Sequence, residues 1–562
     1  MMKTPADASA ATILSDALRT FGEAASVAIV RRYGEVAPVV TFEAPRRPEF
    51  GDFATNLAFS LAKVARRSPQ EVATLVSSDV AEQAPALAEL FTGIEPVAGF
   101  INLRVAPGVW HGELARMLRE GERFGESQPN GVRVSLEFGS ANPTGPLVVV
   151  QGRSMSIGAT LVNAMRYCGY NVFVEWIIND AGGQLDALGR SIYARYRQRF
   201  DPSSAFPEDG YPGEYLRPIA DRIAERDGDR WLAAPESEWL PYFASCGRDE
   251  LVAGQRETAR RFGVEYDHWQ SERELHETGK VREGVDRLRE LALTYERDGA
   301  LFFRATQFGD DKDRVLLRSD GRPTYLSMDV AYHYQKLKAN DRVVDILGPD
   351  HHGYIERLKG LSAALGFPGR LEILIAQQIT LMRGSEQVSM SKRAGEIVTL
   401  DEIVDEVGLD AARFFFIMPA AESPLTFDLQ LAVEKDNENP VYYVQYGHAR
   451  IASVLRRALA QDLDAVGSAA LDLLVHPAEL SLIKRLAEFP SVVAGVVERL
   501  APHRLARYAR EVASEFHSFY TECKILADDR DVRLARLALS LASKNVLART
   551  LRLIGVTAPD TM

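Results

Sequence analysis

The chain has 562 residues, 46% of them hydrophobic and 26% charged, the balance of an ordinary soluble globular protein with room for roughly three or four domains. Its formal net charge of −12 favours a protein without a nucleic-acid partner, and any such partner must be met by local basic surfaces rather than by the overall field. Cys168, Cys246 and Cys523 are too few and too far apart for a disulfide framework or a cysteine-rich zinc site. No secretory h-region opens the chain and no apolar run approaches a membrane span, so the expected location is the cytoplasm.

Residues 1–107 read as a small α/β domain. It holds a helix over Ala11–Ala28, a turn leading into an amphipathic helix within Arg46–Ser68, and an apolar strand over Gly99–Val105. Residues 108–433 alternate apolar strands with helices. Val132, Val134, Leu136 and Phe138 alternate as a half-buried strand, and Gly139, Asn142, Pro143, Gly145 and Pro146 then break regular structure. A helical pattern begins after Gly152, with Ile157, Leu161 and Met165 on one face, and Val172–Ile178 follow as a second strand. Strand, Gly/Pro loop, helix and strand make one βαβ unit, whose helix N-terminus suits phosphate, although many such turns bind nothing.

Asp341–Leu347 and Leu371–Ala376 are the clearest later strands, and together they predict an α/β, doubly wound, Rossmann-like and mainly parallel sheet. The loops at 139–147, 348–353 and 388–395 each follow a strand and are expected to converge at one sheet edge. Residues 195–260, rich in Pro, Gly and charge, read as an insertion. From 434 to 562 the pattern is an all-α bundle, with long amphipathic segments at Leu500–Phe519 and Val532–Leu553. Tyr442, Tyr443 and Tyr446, followed by Arg450, Arg456 and Arg457, form either an aromatic stripe in the bundle core or a surface that stacks unpaired bases and meets phosphates.

The stretch Glu137–Ser154, EFGSANPTGPLVVVQGRS, resembles the signature loop of class I arginyl-tRNA synthetases, which reads close to EFVSANPTGPLHVGHGRG. The resemblance continues in the family's order. It runs through IINDAGGQ (Ile177–Gln184), GDDKDRVLLRSDGRPTYLSMDVAYH (Gly309–His333), LGPDHHGY (Leu347–Tyr354), SMSKRAG (Ser389–Gly395) and NPVYYVQYGHARI (Asn439–Ile451). It implies that the carboxylate of arginine attacks the α-phosphate of ATP, and that the aminoacyl group then passes to the tRNA terminal ribose. ATP is implied as a substrate accompanied by Mg2+, with no protein-bound metal. The implied partners are tRNA, arginine and ATP, and the chain is expected to be a monomer.

Carried over position by position, the resemblance places Glu137 and Asn142 on the substrate amino and carboxylate groups, and Glu272, Tyr325 and Asp329 at the arginine side chain. A planar guanidinium is best matched by fixed carboxylates; read alone, most of these acids would be solvated surface charges. Ser140, Pro143, Gly145, Gly152, Asp350, His351, His352 and Met390 are implied at ATP, and adjacent histidines alone make a poor metal site. Lys392, Ser391 and Gln151 are the implied catalytic positions, with Lys392 matching the main phosphate lysine of the KMSK loop and Ser389 standing at its first lysine. Phe100 and Asn102 match positions that touch the tRNA D-loop, or are a core ring and a strand-edge amide. The C-terminal tRNA face is expected at Tyr443, Tyr446 and Arg450. Where the family has HVGH, this chain has Val148, Val149, Val150 and Gln151. Val148 cannot donate a hydrogen bond, and Gln151 donates without charge. Either the loop is a tolerated variant, or the chain is a paralogue that keeps its arginine and tRNA surfaces without efficient activation.

Overall fold

The computed structural model describes residues 13–34, 39–45, 47–389 and 397–562. Near its N-terminal end, helix Ile13–Tyr33 buries Ala17, Phe21, Ala25, Ala28 and Ile29, a spacing of three and four that lines one face. It outruns the expected end at Ala28 because Ile29 prolongs that face and Arg32 pairs with Asp79 at 2.5 Å. Phe21 meets Phe91 edge-on at 6.0 Å, over an antiparallel sheet of β1 (Phe53–Thr55), β2 (Phe91–Val97) and β3 (Phe100–Val105), ordered β1-β3-β2. β1 lies in the stretch read as a turn; three residues are too few for alternation to register.

The central sheet contains β4 (Arg133–Glu137), β5 (Asn171–Ile178) and β6 (His268–Ser271). The chain then makes an antiparallel meander of β7 (Thr294–Arg297), β8 (Ala300–Phe303) and β9 (Arg314–Leu317), which the sequence reading did not resolve. β10 (Arg342–Leu347) and β11 (Leu371–Ile375) complete the sheet in the order β11-β10-β4-β5-β6, with every pairing parallel. From β4 the chain winds one way to β5 and β6, then returns on the other side of β4 to place β10 and β11. The direction of winding therefore switches between β4 and β10, where a doubly wound sheet opens a crevice at its carboxyl edge.

The stretch read as an insertion is a helical unit: helices Gly183–Phe200, Arg217–Asp227 and Glu236–Arg261 pack around Tyr196, Trp231, Trp239 and Phe243. One expectation changes. The loop from residue 388 follows β13 (Glu386–Val388), which belongs with β12 (Ile379–Arg383) and β14 (Leu425–Asp428) to a separate sheet ordered β13-β12-β14. It does not extend from a strand of the central sheet.

The C-terminal part is helical, with Pro440–Arg457, His503–Glu522 and Arg530–Ile554 as its long members. The buried guanidinium of Arg413 ties it to the sheet region by donating to Ile554 O at 3.1 Å and Phe262 O at 2.9 Å. Gly555, at φ 80°, leaves the space: a Cβ there would lie 2.4 Å from Arg413. Among the described residues, no helix is long and apolar enough to cross a membrane.

The helix after β4 seats against that strand through Gly158, where a Cβ would lie 2.1 Å from the ring of the buried Phe138. Gly158→Ala is expected to destabilise the fold by about 1–3 kcal/mol through overpacking. Gly254→Ala, which meets nothing within 4 Å, should keep or raise stability. Thermal melts of the two variants check this.

Candidate active site

The loop after β4 is fixed by bonds to its neighbours. Gly139 takes φ 79°, and a Cβ there would lie 2.8 Å from both Met155 and the Tyr266 hydroxyl, so this turn needs glycine. The Gly139 N–H donates to Ser154 Oγ at 3.0 Å. Ser140 Oγ donates to Glu137 Oε1 at 3.1 Å and accepts from the Ile177 N–H at 3.0 Å, stitching β4 to β5. Asn142 is exposed and accepts from Asn179 Nδ2 at 2.9 Å; Pro143 is buried. The loop carbonyls are gripped from the insertion. Gln255 Nε2 donates to Asn142 O at 3.0 Å and to Gly145 O at 2.9 Å, and Tyr215 OH donates to Thr144 O at 2.7 Å.

The following helix starts at Val149, four residues earlier than its sequence pattern suggested. Gln151 makes this possible, because its Oε1 accepts the Val148 N–H at 3.2 Å and so serves one of the unpaired donors of the first turn. Val148 is bridged to Thr399, and Leu147 O accepts from the Leu400 N–H at 2.8 Å. Gly152 is buried: a Cβ there would lie 2.5 Å from Leu400 and 2.9 Å from Phe416, so it serves helix packing in this conformation. Next to it, Arg153 is fully buried. It donates to Gln377 O at 2.7 Å, Gln378 O at 3.3 Å, Ala420 O at 3.0 Å and Ser423 O at 2.7 Å, and burial lowers its pKa to about 10.

The sheet register sets Asp345 of β10, Glu137 of β4 and Glu175 of β5 side by side. Above them runs helix Tyr325–Ala339. Its buried Lys336 donates to Glu137 Oε2 at 3.0 Å and to Asp345 Oδ1, and its ammonium lies 4.6 Å from the Tyr332 ring centroid. His333 Nε2 lies 3.0 Å from Asp345 Oδ2, and its Nδ1 lies 2.8 Å from Asp329 O. Burial opposes the charge on both cations, but their carboxylate partners outweigh it. The pKa values of Lys336 and His333 are therefore raised, and that of Asp345 is held at about 2. Of Asp345, Glu137, Glu175, Lys336 and His333, only Glu137 was singled out from sequence. The available signal was a lysine and a histidine three apart on a helix that otherwise packs apolar residues inward.

Asp329 is half-buried on the same helix, and Glu272 opens the helix that follows β6. Burial raises the Asp329 pKa to about 6. Burial, reinforced by the charges of Asp329 and Asp180, raises that of Glu272 to about 7. Tyr325 is 76% exposed, with its hydroxyl close over Gly182, where a Cβ would lie 3.6 Å away. Glu137, Glu272, Tyr325 and Asp329 thus gather at the carboxyl edge of the sheet around the switch point.

Asp350 and His351 are exposed just past β10, with His351 Nδ1 3.0 Å from Asp350 Oδ1, and His352 continues the same short turn. Met390, Ser391 and Lys392 lie outside the described residues. Far from this site, Phe100 packs edge-on to Phe59 at 5.1 Å, and Asn102 is 5% exposed, inside the N-terminal sheet. In the helical part, Tyr446 and Arg450 stand together: Arg450 lies 4.7 Å from the Tyr446 ring and 5.3 Å from the Tyr520 ring, and Tyr442 stacks on Tyr446 at 5.9 Å. Tyr443 instead lines a separate cleft with Arg507 and Arg510. Tyr520 and His517, which bonds Arg450 at 2.7 Å, come from another helix and had no sequence signal linking them to this face.

A cation entering between Glu272 and Asp329 favours their ionised forms, so its binding must release protons near neutrality. Arginine affinity, read by calorimetry, is expected to strengthen as pH rises from about 5.5 to 8, with heats that depend on the ionisation enthalpy of the buffer. Asp329→Asn together with Glu272→Gln should flatten that dependence and weaken binding by about 2–5 kcal/mol.

Three family models match the chain: arginyl tRNA synthetase N terminal domain over residues 10–105, tRNA synthetases class I (R), catalytic domain over 260–417, and DALR anticodon binding domain over 444–562. An arginine–tRNA ligase of Syntrophotalea carbinolica is 43% identical over 531 residues, covering 93% of this chain and 95% of its own. One of Moorella thermoacetica is 44% identical, covering 96% of this chain and 97% of its own. The Thermus thermophilus arginyl-tRNA synthetase structure has the same fold, with a TM-score of 0.76 at 21% identity, covering 97% of this chain and 100% of that one. With near full-length relatives above 40% identity and family models matching its N-terminal, catalytic and C-terminal parts, the chain belongs to the class I arginyl-tRNA synthetase family.

Proposed function

We propose that the protein is an arginine–tRNA ligase: it joins arginine to ATP as the adenylate, with release of pyrophosphate, and passes the arginyl group to the 3′ end of its tRNA. The observation that carries this reading is Asp329 and Glu272 held within electrostatic reach of each other at the carboxyl edge of the sheet, a carboxylate pair suited to a guanidinium, with Glu137, already bonded to Lys336 and Ser140, beside the loop. In this reading Glu137 takes the α-ammonium and Asn142 the carboxylate of arginine, while Tyr325, Asp329 and Glu272 take its guanidinium. ATP arrives with its Mg2+ over Ser140, Pro143, Gly145 and Gly152, flanked by Asp350, His351 and His352. Met390, Ser391 and Lys392 approach the phosphates. The chemistry needs positioning and charge neutralisation more than a protein nucleophile.

Residues 1–107 and 434–562 are the parts we assign to tRNA, with 108–433 between them as the catalytic domain and 195–260 as its insertion. The Tyr442–Tyr446–Arg450–Tyr520 cluster offers stacking faces and a guanidinium on one surface, which supports the bundle as the anticodon side. On the N-terminal side, burial of Asn102 leaves the half-exposed Phe59–Phe100 pair as the better D-loop contact. We place the protein in the cytoplasm as a monomer.

The Val148–Gln151 segment supports a second reading, a synthetase-like paralogue with slow ATP activation. The family's paired histidines are replaced, and the Gln151 carbonyl is already engaged as a helix cap, which leaves only its amide for a phosphate. Losing a preorganised donor lowers rate by about 100- to 1000-fold. Aminoacylation with tRNA, arginine and ATP together tests the main reading; absence of charged tRNA under those conditions refutes it.

Pyrophosphate exchange with arginine and tRNA separates the two readings. Slow exchange that rises steeply in Val148→His, Val150→Gly, Gln151→His marks a handicapped loop. Turnover of roughly 1–10 per second in the natural protein, with no gain in the variant, shows the histidines dispensable here. Tyr446→Ala is expected to weaken tRNA binding by about 1–3 kcal/mol through lost stacking. The affinity of the whole chain should also fall steeply with salt, measured by filter binding or fluorescence.

A further inference from the structure

The insertion reaches back to the site along one face of its last helix. Gln255, 1% exposed, donates through Nε2 to the carbonyls of Asn142 and Gly145. Three residues on, Thr258 Oγ1 donates to Asp401 Oδ2 at 2.6 Å, and three further on Arg261 bonds Asp401 at 2.5 Å and Asp405 at 2.8 Å. Residues at this spacing share a helix face. Asp401 and Asp405 lie in helix Leu400–Val407, whose first N–H is bonded to Leu147 O at the other end of the signature loop. The cycle closes: signature loop, insertion helix, helix Leu400–Val407, signature loop.

We propose that the last two turns of helix Glu236–Arg261 are a brace that sets the signature loop against the start of helix Leu400–Val407, and that Gln255 and Thr258 are positioning residues for ATP. This rests on the ligase reading of those segments. The peptide geometry says what the brace would orient. Pro143 and Pro146 have no N–H. Tyr215 holds Thr144 O from the insertion side, so the trans peptide turns the Gly145 N–H away from the insertion, as a donor for phosphate. Among the described residues Gln255 Oε1 is buried without a hydrogen-bond partner, and the side chain is held there by its amide donors. That is an expensive arrangement for a residue with no function beyond filling space.

The test is steady-state pyrophosphate exchange, with tRNA present, on the natural protein and on Gln255→Leu, Thr258→Val and Thr258→Ser. Expected are a loss of about tenfold or more in kcat/KM for ATP in Gln255→Leu, a smaller loss in Thr258→Val, and return to natural values in Thr258→Ser, with KM for arginine unchanged throughout. Values for ATP within about twofold of the natural protein in both variants overturn the proposal, as does a parallel loss in arginine KM and melting temperature, which marks a merely structural contact. A natural protein without exchange counts against the ligase reading instead. The brace is then judged by amide hydrogen exchange: faster exchange at Gly145 and Leu400 in Gln255→Leu and Thr258→Val supports it, and unchanged rates overturn it.

Discussion

The site depends on one buried cation. Lys336 stands between Glu137 and Asp345 where the winding of the sheet reverses, and those two carboxylates would otherwise face each other across adjacent parallel strands with Glu175 beside them. Three buried acids in a row would repel or protonate. The ammonium, helped by His333, lets Asp345 remain ionised and holds Glu137 at the strand end. Breaking such a pair by removing one member leaves an uncompensated charge, which typically destabilises by about 3–5 kcal/mol. The crevice at the switch point can therefore present carboxylates toward a ligand because further carboxylates beneath them are already neutralised.

The sheet, the helical C-terminal part and the placement of the signature loop were legible in sequence because each rests on periodicity or on Gly/Pro punctuation. Ile157, Leu161 and Met165 mark a helix, the alternation from Val132 to Phe138 marks a strand, and Val532–Leu553 falls within an observed helix; Leu500–Phe519 overlaps helix His503–Glu522 but starts three residues too early, because Leu500 caps the preceding helix in the left-handed region. What was not legible is long-range. Lys336 and His333 look like surface residues until β10 brings Asp345 beneath them. Tyr215 and Gln255 sit in a stretch whose composition resembles an irregular excursion, although aromatic packing around Phe243 makes it an ordered helical unit. The start of the signature helix was misplaced because Gln151 caps it, and a glutamine three residues after a valine carries no familiar N-terminal signal.

In the helical C-terminal part and the N-terminal sheet the same division holds. The tyrosines and arginine of helix Pro440–Arg457 were visible, but their grouping was not. Tyr443 and Tyr446 are three apart, yet one faces Arg507 and Arg510 while the other joins Arg450 and Tyr520. In the N-terminal sheet, both readings of Phe100 and Asn102 were open from sequence. The two residues are two apart on β3 and share one face of the sheet; Asn102 is buried, while Phe100, at the start of the strand, stays half-exposed against Phe59.

Arg153 has a consequence for how the molecule assembles. Its acceptors are separated from it by 224, 225, 267 and 270 residues of sequence, and all are backbone carbonyls at turns beside β12 and β14. A buried guanidinium cannot rest in place before those carbonyls arrive, and they arrive only after the chain has traversed the insertion, the meander and β11. Such contacts offset the entropy of closing long loops only at the end. The helix of the βαβ unit is thus written early in the chain but completed late. Completion of the sheet's carboxyl edge is bound to closure of the whole sheet region and is not a local event.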